Sequence, residues 1–199
     1  MSKIISISIL NSDPLRIADT LNSLEDINIK NIHLDIMDTS FVNNISFGID
    51  ATNELLNYNF IFDVHLMVGK PKIVADKINL SKIDRLIYHY EISNEEKDKL
   101  NFNVKKGVAV NPNTPTKNTN LKEEFVLIMS VEPGLGGQSF IKDTSEKINL
   151  PGKIVGVDGG INLETIKYVK EADFFVVGSA FFKSEDKEGF LRKMFDIIE

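Results

Sequence analysis

Residues 31–37, NIHLDIM, constrain the chain more than any other stretch. In an extended strand successive side chains point to opposite faces. His33, Asp35 and Met37 therefore share one face, and Ile32, Leu34 and Ile36 share the other. The aliphatic face has to be covered by other elements. The opposite face sets an imidazole and a carboxylate two residues apart, a spacing at which both groups can be aimed at one ion or substrate. The pattern recurs over residues 60–68, FIFDVHLMV, with Asp63, His65 and Met67 on one face and Phe62, Val64 and Leu66 on the other. A third carrier, KIVGVDGGI at 153–161, ends its alternation on Asp158 before a glycine pair. Two histidines and two aspartates thus stand near strand ends.

The rest of the chain supplies more strands of this kind with helical stretches between them. Residues 4–10 alternate branched residues with Ser6 and Ser8, which predicts a strand with its hydroxyls turned inward. Asp13 as N-cap and Pro14 at the first helical position predict a helix carrying Leu15, Ile17, Ala18, Leu21 and Leu24. Residues 31–37 and 60–68 are the second and third strands, and 84–90, 104–110, 125–131, 154–158 and 174–177 read as the remaining five. Helical stretches are expected near 51–58, 71–78, 94–100, weakly after 111–116, over 143–147, from Asn162 to Lys170, and over 186–198. Repeated βα units demand a parallel sheet, so eight strands alternating with eight helices read as a (β/α)8 TIM barrel. Such barrels usually take about 250 residues and at least about 200. At 199 residues this one is compact, with shortened helices and loops, and fills residues 1–199 as a single catalytic domain.

Composition removes several classes of function. The longest apolar runs fall far short of the roughly 20 residues that cross a bilayer, and the N-terminus has no long apolar core with a cleavage site. A cytoplasmic protein with no membrane partner is expected. With no cysteine in the sequence, disulfides and thiolate metal sites are excluded, which leaves His and carboxylate ligands. A formal net charge of −6 without a basic cluster gives nucleic acid nothing to bind by counterion release. An anionic small molecule remains open, because backbone N–H groups at glycine-rich turns bind phosphate without net positive charge.

In this order the chain carries SILNSD (8–13), HLDIMD with FV and FG following, DVHLMV, VAVNPNTP, MSVEPGLGGQSF, VDGGIN and VVGSAFF. Together these segments resemble the ribulose-phosphate 3-epimerase family over most of the chain. The resemblance implies a divalent metal site made by His33, Asp35, His65 and Asp158, and the ligand types suit Zn, Fe(II), Mn or Co. A lone strand histidine is ordinarily a hydrogen-bonded core residue, but four polar groups facing one barrel mouth are costly to bury without an ion or partner. His89 and Glu91 also face inward by parity and are expected to support the site from behind.

The implied activity is inversion of C3 in D-ribulose 5-phosphate to give D-xylulose 5-phosphate, with Asp35 and Asp158 exchanging protons on opposite faces of an enediolate. Ser8 and His65 would touch substrate, and Met37, Met67 and Met129 would cap the site. Phosphate is expected on Gly134, Leu135, Gly136 and Gly137, on Gly159 and Gly160, and on Gly178 and Ser179, since barrel phosphate sites are commonly built from loops after strands seven and eight. The ketose phosphate is the one small-molecule partner implied, and a homo-oligomer is left open. Thr39, Asn43 and Leu135 depart from the family's usual Gly, Pro and aromatic, which bears on loop shape and affinity. The alternatives are epimerisation of a hexulose phosphate such as D-allulose 6-phosphate, and a barrel that binds a sugar phosphate without turnover.

Overall fold

Strands that are aliphatic on one face and carry selected polar groups on the other need cover on both sides. The computed structural model, which describes residues 3–117 and 119–199, provides it with a closed barrel of eight strands in sequence order. They are β1 (Ile4–Ser8), β2 (Asn31–Met37), β3 (Ile61–Met67), β4 (Arg85–His89), β5 (Lys105–Val110), β6 (Phe125–Met129), β7 (Ile154–Asp158) and β8 (Phe174–Val177). Every neighbouring pair is parallel, and β8 returns to β1. The register sets Ser8 opposite His33, Asp35 opposite His65, Met37 opposite Met67, and Met129 opposite Asp158. The polar residues therefore gather at the C-terminal ends of the strands, where barrel chemistry is done.

The outward strand faces pack beneath α1 (Ile17–Asp26), α2 (Ile49–Leu55), α3 (Pro71–Ala75), α4 (Asn94–Asp98), α5 (Ser179–Lys183) and α6 (Lys187–Ile198). Phe62, Phe175 and Phe181 are fully buried in this outer layer, each worth about 1.5–3 kcal/mol relative to exposure. The barrel interior holds Ile87, Ala109, Phe125, Leu127, Met129, Phe174 and Val176. Below them Arg85 lies 3.8 Å from the centre of the Phe125 ring and donates to Asp63 at 2.8 Å. Gly107 and Gly156 make room for this plug, since a Cβ at either would fall 2.7 Å from the Phe125 ring. The filled lower barrel leaves only the mouth open for a ligand.

Several helical expectations are corrected. Asp13 does not open α1: it accepts from the Leu15 N–H at 3.0 Å in a local turn, Leu15 is 93% exposed, and the helix starts at Ile17. Aspartate's own turn has competed successfully with the cap. No α-helix connects β5 to β6 among the described residues, and position 118 lies outside them. Pro112 and Pro115 have no N–H to donate to a helix there, and the Lys147 ammonium takes up the carbonyls of Asn111, Pro112 and Thr114. Asn162 does accept from the Glu164 and Thr165 N–H groups at 2.8 and 3.0 Å, but only the 3-10 turn Ile166–Tyr168 follows. The segment near 143–147 is likewise a 3-10 turn, Lys142–Lys147. Among the described residues six α-helices thus stand where eight are expected, α5 having been hidden in the apolar run that continues β8. No helix among the described residues is long and apolar enough to cross a membrane.

Candidate metal centre and substrate cleft

His33 and Asp35 come from β2, His65 from β3 and Asp158 from the end of β7. One ligand atom from each lies within 4.8 Å of the other three. Donors on opposite sides of a first-row ion stand about 4 Å apart, so these side chains need draw in by only a fraction of an ångström to share one. His65 Nδ1 is 3.0 Å from Asp35 Oδ1 and 3.7 Å from Asp158 Oδ2. His33 Nε2 is 3.3 Å and 3.8 Å from the same two oxygens. Both ring nitrogens of His33 are nevertheless buried without a well-directed hydrogen bond. Buried polar atoms are almost always partnered, and an orphaned imidazole facing two carboxylates is what a cation site presents.

The electrostatics agree with the donor set. Burial alone would lower the His33 pKa, yet Asp35 beside it, with Asp158 and Asp63 behind, raises it to about 9. The negative field that tightens the imidazole's hold on a proton is the field a divalent cation would feel. Burial and the neighbouring histidines push His65 down to about 4 against the pull of Asp35, so at neutral pH it offers a lone pair. Burial works upward on Asp35, but His33 and His65 hold it well below the usual carboxylate range. Asp158 is pushed up to about 7, first by burial and then by the Asp35 charge. The four residues could hold a metal ion, and imidazole with carboxylate suits a divalent one.

Above the cluster lies a cleft open to solvent. Ser8, Asp35, Asp158, Met37, Met67 and Met129 form its floor, and Gly134, Leu135, Gly136, Gly137, Gly159, Gly160, Gly178 and Ser179 line it further out. Every expected site residue thus reaches one place except His33 and His65, which are fully buried behind the floor and do not line the cleft. His65 stands directly behind Asp35, with Nδ1 3.0 Å from Asp35 Oδ1. Gly159 is required where it stands: its φ is +115°, and a Cβ would fall 2.4 Å from the Val131 side chain. Leu135 is 62% exposed on the loop after β6, and Asn44 Nδ2 donates to Gly134 O at 2.8 Å, tying that loop to the one after β2.

Three residues not singled out in the sequence shape the site. The Asn11 amide lies against Gly136 and Gly178, bridging the loops after β6 and β8. The Ser130 hydroxyl donates to the carbonyls of Asp158 and Gly159, which holds the end of β7. The Ser46 hydroxyl donates to Asp35 O and accepts from the Met37 N–H, which holds the end of β2. Asn11 and Ser46 lie outside the strands and follow no period, and Ser130 falls within the expected strand 125–131 but past the end of β6 at Met129. His89 and Glu91 lie behind His65 as parity implied, with His89 Nε2 2.9 Å from His65 Nε2.

The sequence profile described as the Ribulose-phosphate 3 epimerase family matches residues 4–182. A protein named ribulose-phosphate 3-epimerase from Encephalitozoon cuniculi is 39% identical, with 98% of this chain and 95% of that one covered. A namesake from Chlamydia muridarum is 33% identical over 92% of this chain and 89% of its own. Among solved structures, 3-hexulose-6-phosphate synthase from Salmonella typhimurium superposes with a TM-score of 0.67 at 12% identity, covering 98% of each chain. At that identity the likeness is one of fold.

Proposed function

The chain belongs to the ribulose-phosphate 3-epimerase family, and from that premise we propose that it interconverts D-ribulose 5-phosphate and D-xylulose 5-phosphate by inverting C3. The observation that carries the reading is the pair Asp35 and Asp158, two carboxylates on β2 and β7 whose pKa values are pushed in opposite directions. Groups whose pKa values are pushed apart in this way divide the roles of base and acid between them. Asp35, ionised, takes the C3 proton on one face. Asp158, which retains a proton more readily, returns one on the other face, and the two exchange roles in the reverse direction. Inversion needs the two groups on opposite sides of the substrate.

His33, Asp35, His65 and Asp158 would hold a divalent ion, drawn from Zn, Fe(II), Mn or Co. When bound it supplies positive charge that stabilises the negative charge developing on the ketose oxygens as the proton leaves. Met37, Met67 and Met129 keep water from the floor of the cleft, which protects an enediolate from stray protonation. The phosphate lies on backbone N–H groups of the three glycine loops, with Ser179 beside them, and Ser8 contacts the ketose near Asp35. This reading takes the chain as one cytoplasmic catalytic domain.

The test is an assay on D-ribulose 5-phosphate and on D-allulose 6-phosphate, with elemental analysis and size-exclusion chromatography of the same sample. Turnover of the pentulose phosphate at a higher kcat/KM, with one equivalent of metal, is expected. Preference for the hexulose phosphate overturns the substrate, and absence of turnover on either overturns the activity.

A further inference from the structure

We propose that His89 and Glu91 are positioning residues that keep the His65 proton on Nε2, so that the Nδ1 lone pair faces the carboxylate cluster. The inference rests on the reading of that cluster as a cation site. The chain of contacts runs outward from it. His65 Nδ1 is the nitrogen beside Asp35 and Asp158, and Nε2 points the other way, 2.9 Å from His89 Nε2. The two ring planes are 25° apart with centroids 4.9 Å apart, so at that nitrogen separation the rings meet at their edges and share one proton. The other nitrogen of His89, Nδ1, is 3.3 Å from Glu91 Oε2. Glu91 Oε1 in turn accepts the Asn111 backbone N–H at 2.8 Å.

With a cation standing between His65 Nδ1 and the Asp35 carboxylate 3.0 Å away, donor counting gives this chain one direction. Burial would raise the Glu91 pKa, but its hydrogen bonds outweigh that and hold it below the usual carboxylate range. An ionised carboxylate only accepts, so His89 must carry its proton on Nδ1. With that proton on Nδ1, the His89 Nε2 is placed to accept from His65 Nε2–H, which leaves His65 Nδ1 as a lone pair. The reverse order would set a lone pair of His89 against the Glu91 carboxylate. Water cannot relieve that conflict, because His65 and His89 are fully buried and the Phe41 ring covers His89 with centroids 4.5 Å apart. Groups that fix the tautomer of a ligating histidine typically change metal affinity by about 10–100-fold when removed.

Glu91→Gln is the deciding variant, because the carboxamide can donate to His89 Nδ1 and so reverse the chain, putting a proton on His65 Nδ1. Zn(II) affinity is measured by chelator competition on the wild type, Glu91→Gln and His89→Asn, with thermal unfolding as the control for folding. Both variants are expected to bind Zn(II) about 10–100-fold more weakly while still unfolding cooperatively, at a midpoint somewhat below that of the wild type. In the zinc-loaded wild type, ¹⁵N NMR should find the His89 proton on Nδ1. Unchanged affinity in Glu91→Gln, or a His89 proton on Nε2, overturns the relay while leaving the metal site standing. A wild type that binds no Zn(II) overturns both together.

Discussion

The Ser8 hydroxyl donates to Asp35 Oδ2 at 2.7 Å, on the opposite carboxylate oxygen from the one His65 contacts. Ser8 thus holds one oxygen of the carboxylate, and the other faces His65 Nδ1 across the cluster. A hydrogen bond to a buried charged group is worth about 1.5–3 kcal/mol, and each 1.4 kcal/mol is tenfold in rate. Ser8→Ala should therefore lower kcat by about 10–100-fold and lower the unfolding midpoint by several degrees at most, about 2–4 °C per kcal/mol lost. Steady-state kinetics beside a thermal melt check this. Wild-type kcat in the variant would mean that Asp35 needs no such support.

His65 reaches the cluster with one nitrogen and leaves no ligand in reserve on β3, because Asp63 is engaged by Arg85 at 2.8 Å. Removing the metal with a chelator should abolish turnover, and returning the ion should restore it. In His65→Ala restoration should fail at metal concentrations that saturate the wild type. Full activity in a preparation shown to be metal-free by elemental analysis would refute the site.

A Cβ at Gly178 would stand 3.1 Å from the Asn11 amide, a tight contact that asks that side chain to give by a few tenths of an ångström. The larger Gly178→Val side chain should also enter the space proposed for the phosphate. KM for the phosphorylated ketose should rise by at least tenfold, or about 1.4 kcal/mol of binding, with a smaller effect on kcat. An unchanged KM would place the phosphate elsewhere.

Glu91 carries a pH dependence with a definite sign. Its folded pKa is held below the ordinary value of 4.5, so its contribution to stability is present above about pH 4.5 and is lost as the pH falls through the lower folded value. Chemical denaturation at pH 7 should find Glu91→Gln less stable than the wild type. The difference should shrink steadily below pH 4.5. A difference that grows on acidification would reverse the assignment.

The strands and the cluster were readable because β periodicity is short and strict. His33 with Asp35, and Asp63 with His65, declare one face within seven residues, and a one-residue slip would turn every one of them outward. The connections had no such rule. Asp13, Pro14 and Leu15 match a helix start in composition, but the carboxylate closed its own turn. Asn162 capped as expected, yet the chain after it did not propagate a helix. Asn11, Ser46 and Ser130 act through contacts between residues far apart in sequence, set by barrel closure and by loop lengths. The glycines of the cleft were legible as turns, but their convergence with Asn11 required the folded loops.

Asp158 is the residue on which the two-base reading turns. In D₂O the epimerised product should acquire deuterium at C3, because the returning proton comes from Asp158, whose side chain borders the cleft and exchanges with solvent. Asp158→Asn keeps the shape and removes the proton carrier. General acid–base groups contribute about 10²–10⁴-fold, so net epimerisation should fall by that factor in both directions. Asp35 remains able to remove and return a proton on its own face, and the variant should still exchange the C3 hydrogen of one epimer with solvent. Asp158 is also placed among the metal ligands, so the variant's metal content has to be measured on the same sample. An Asp158→Asn protein that retains its metal and interconverts the two epimers at near the wild-type rate would show that another group delivers the second proton.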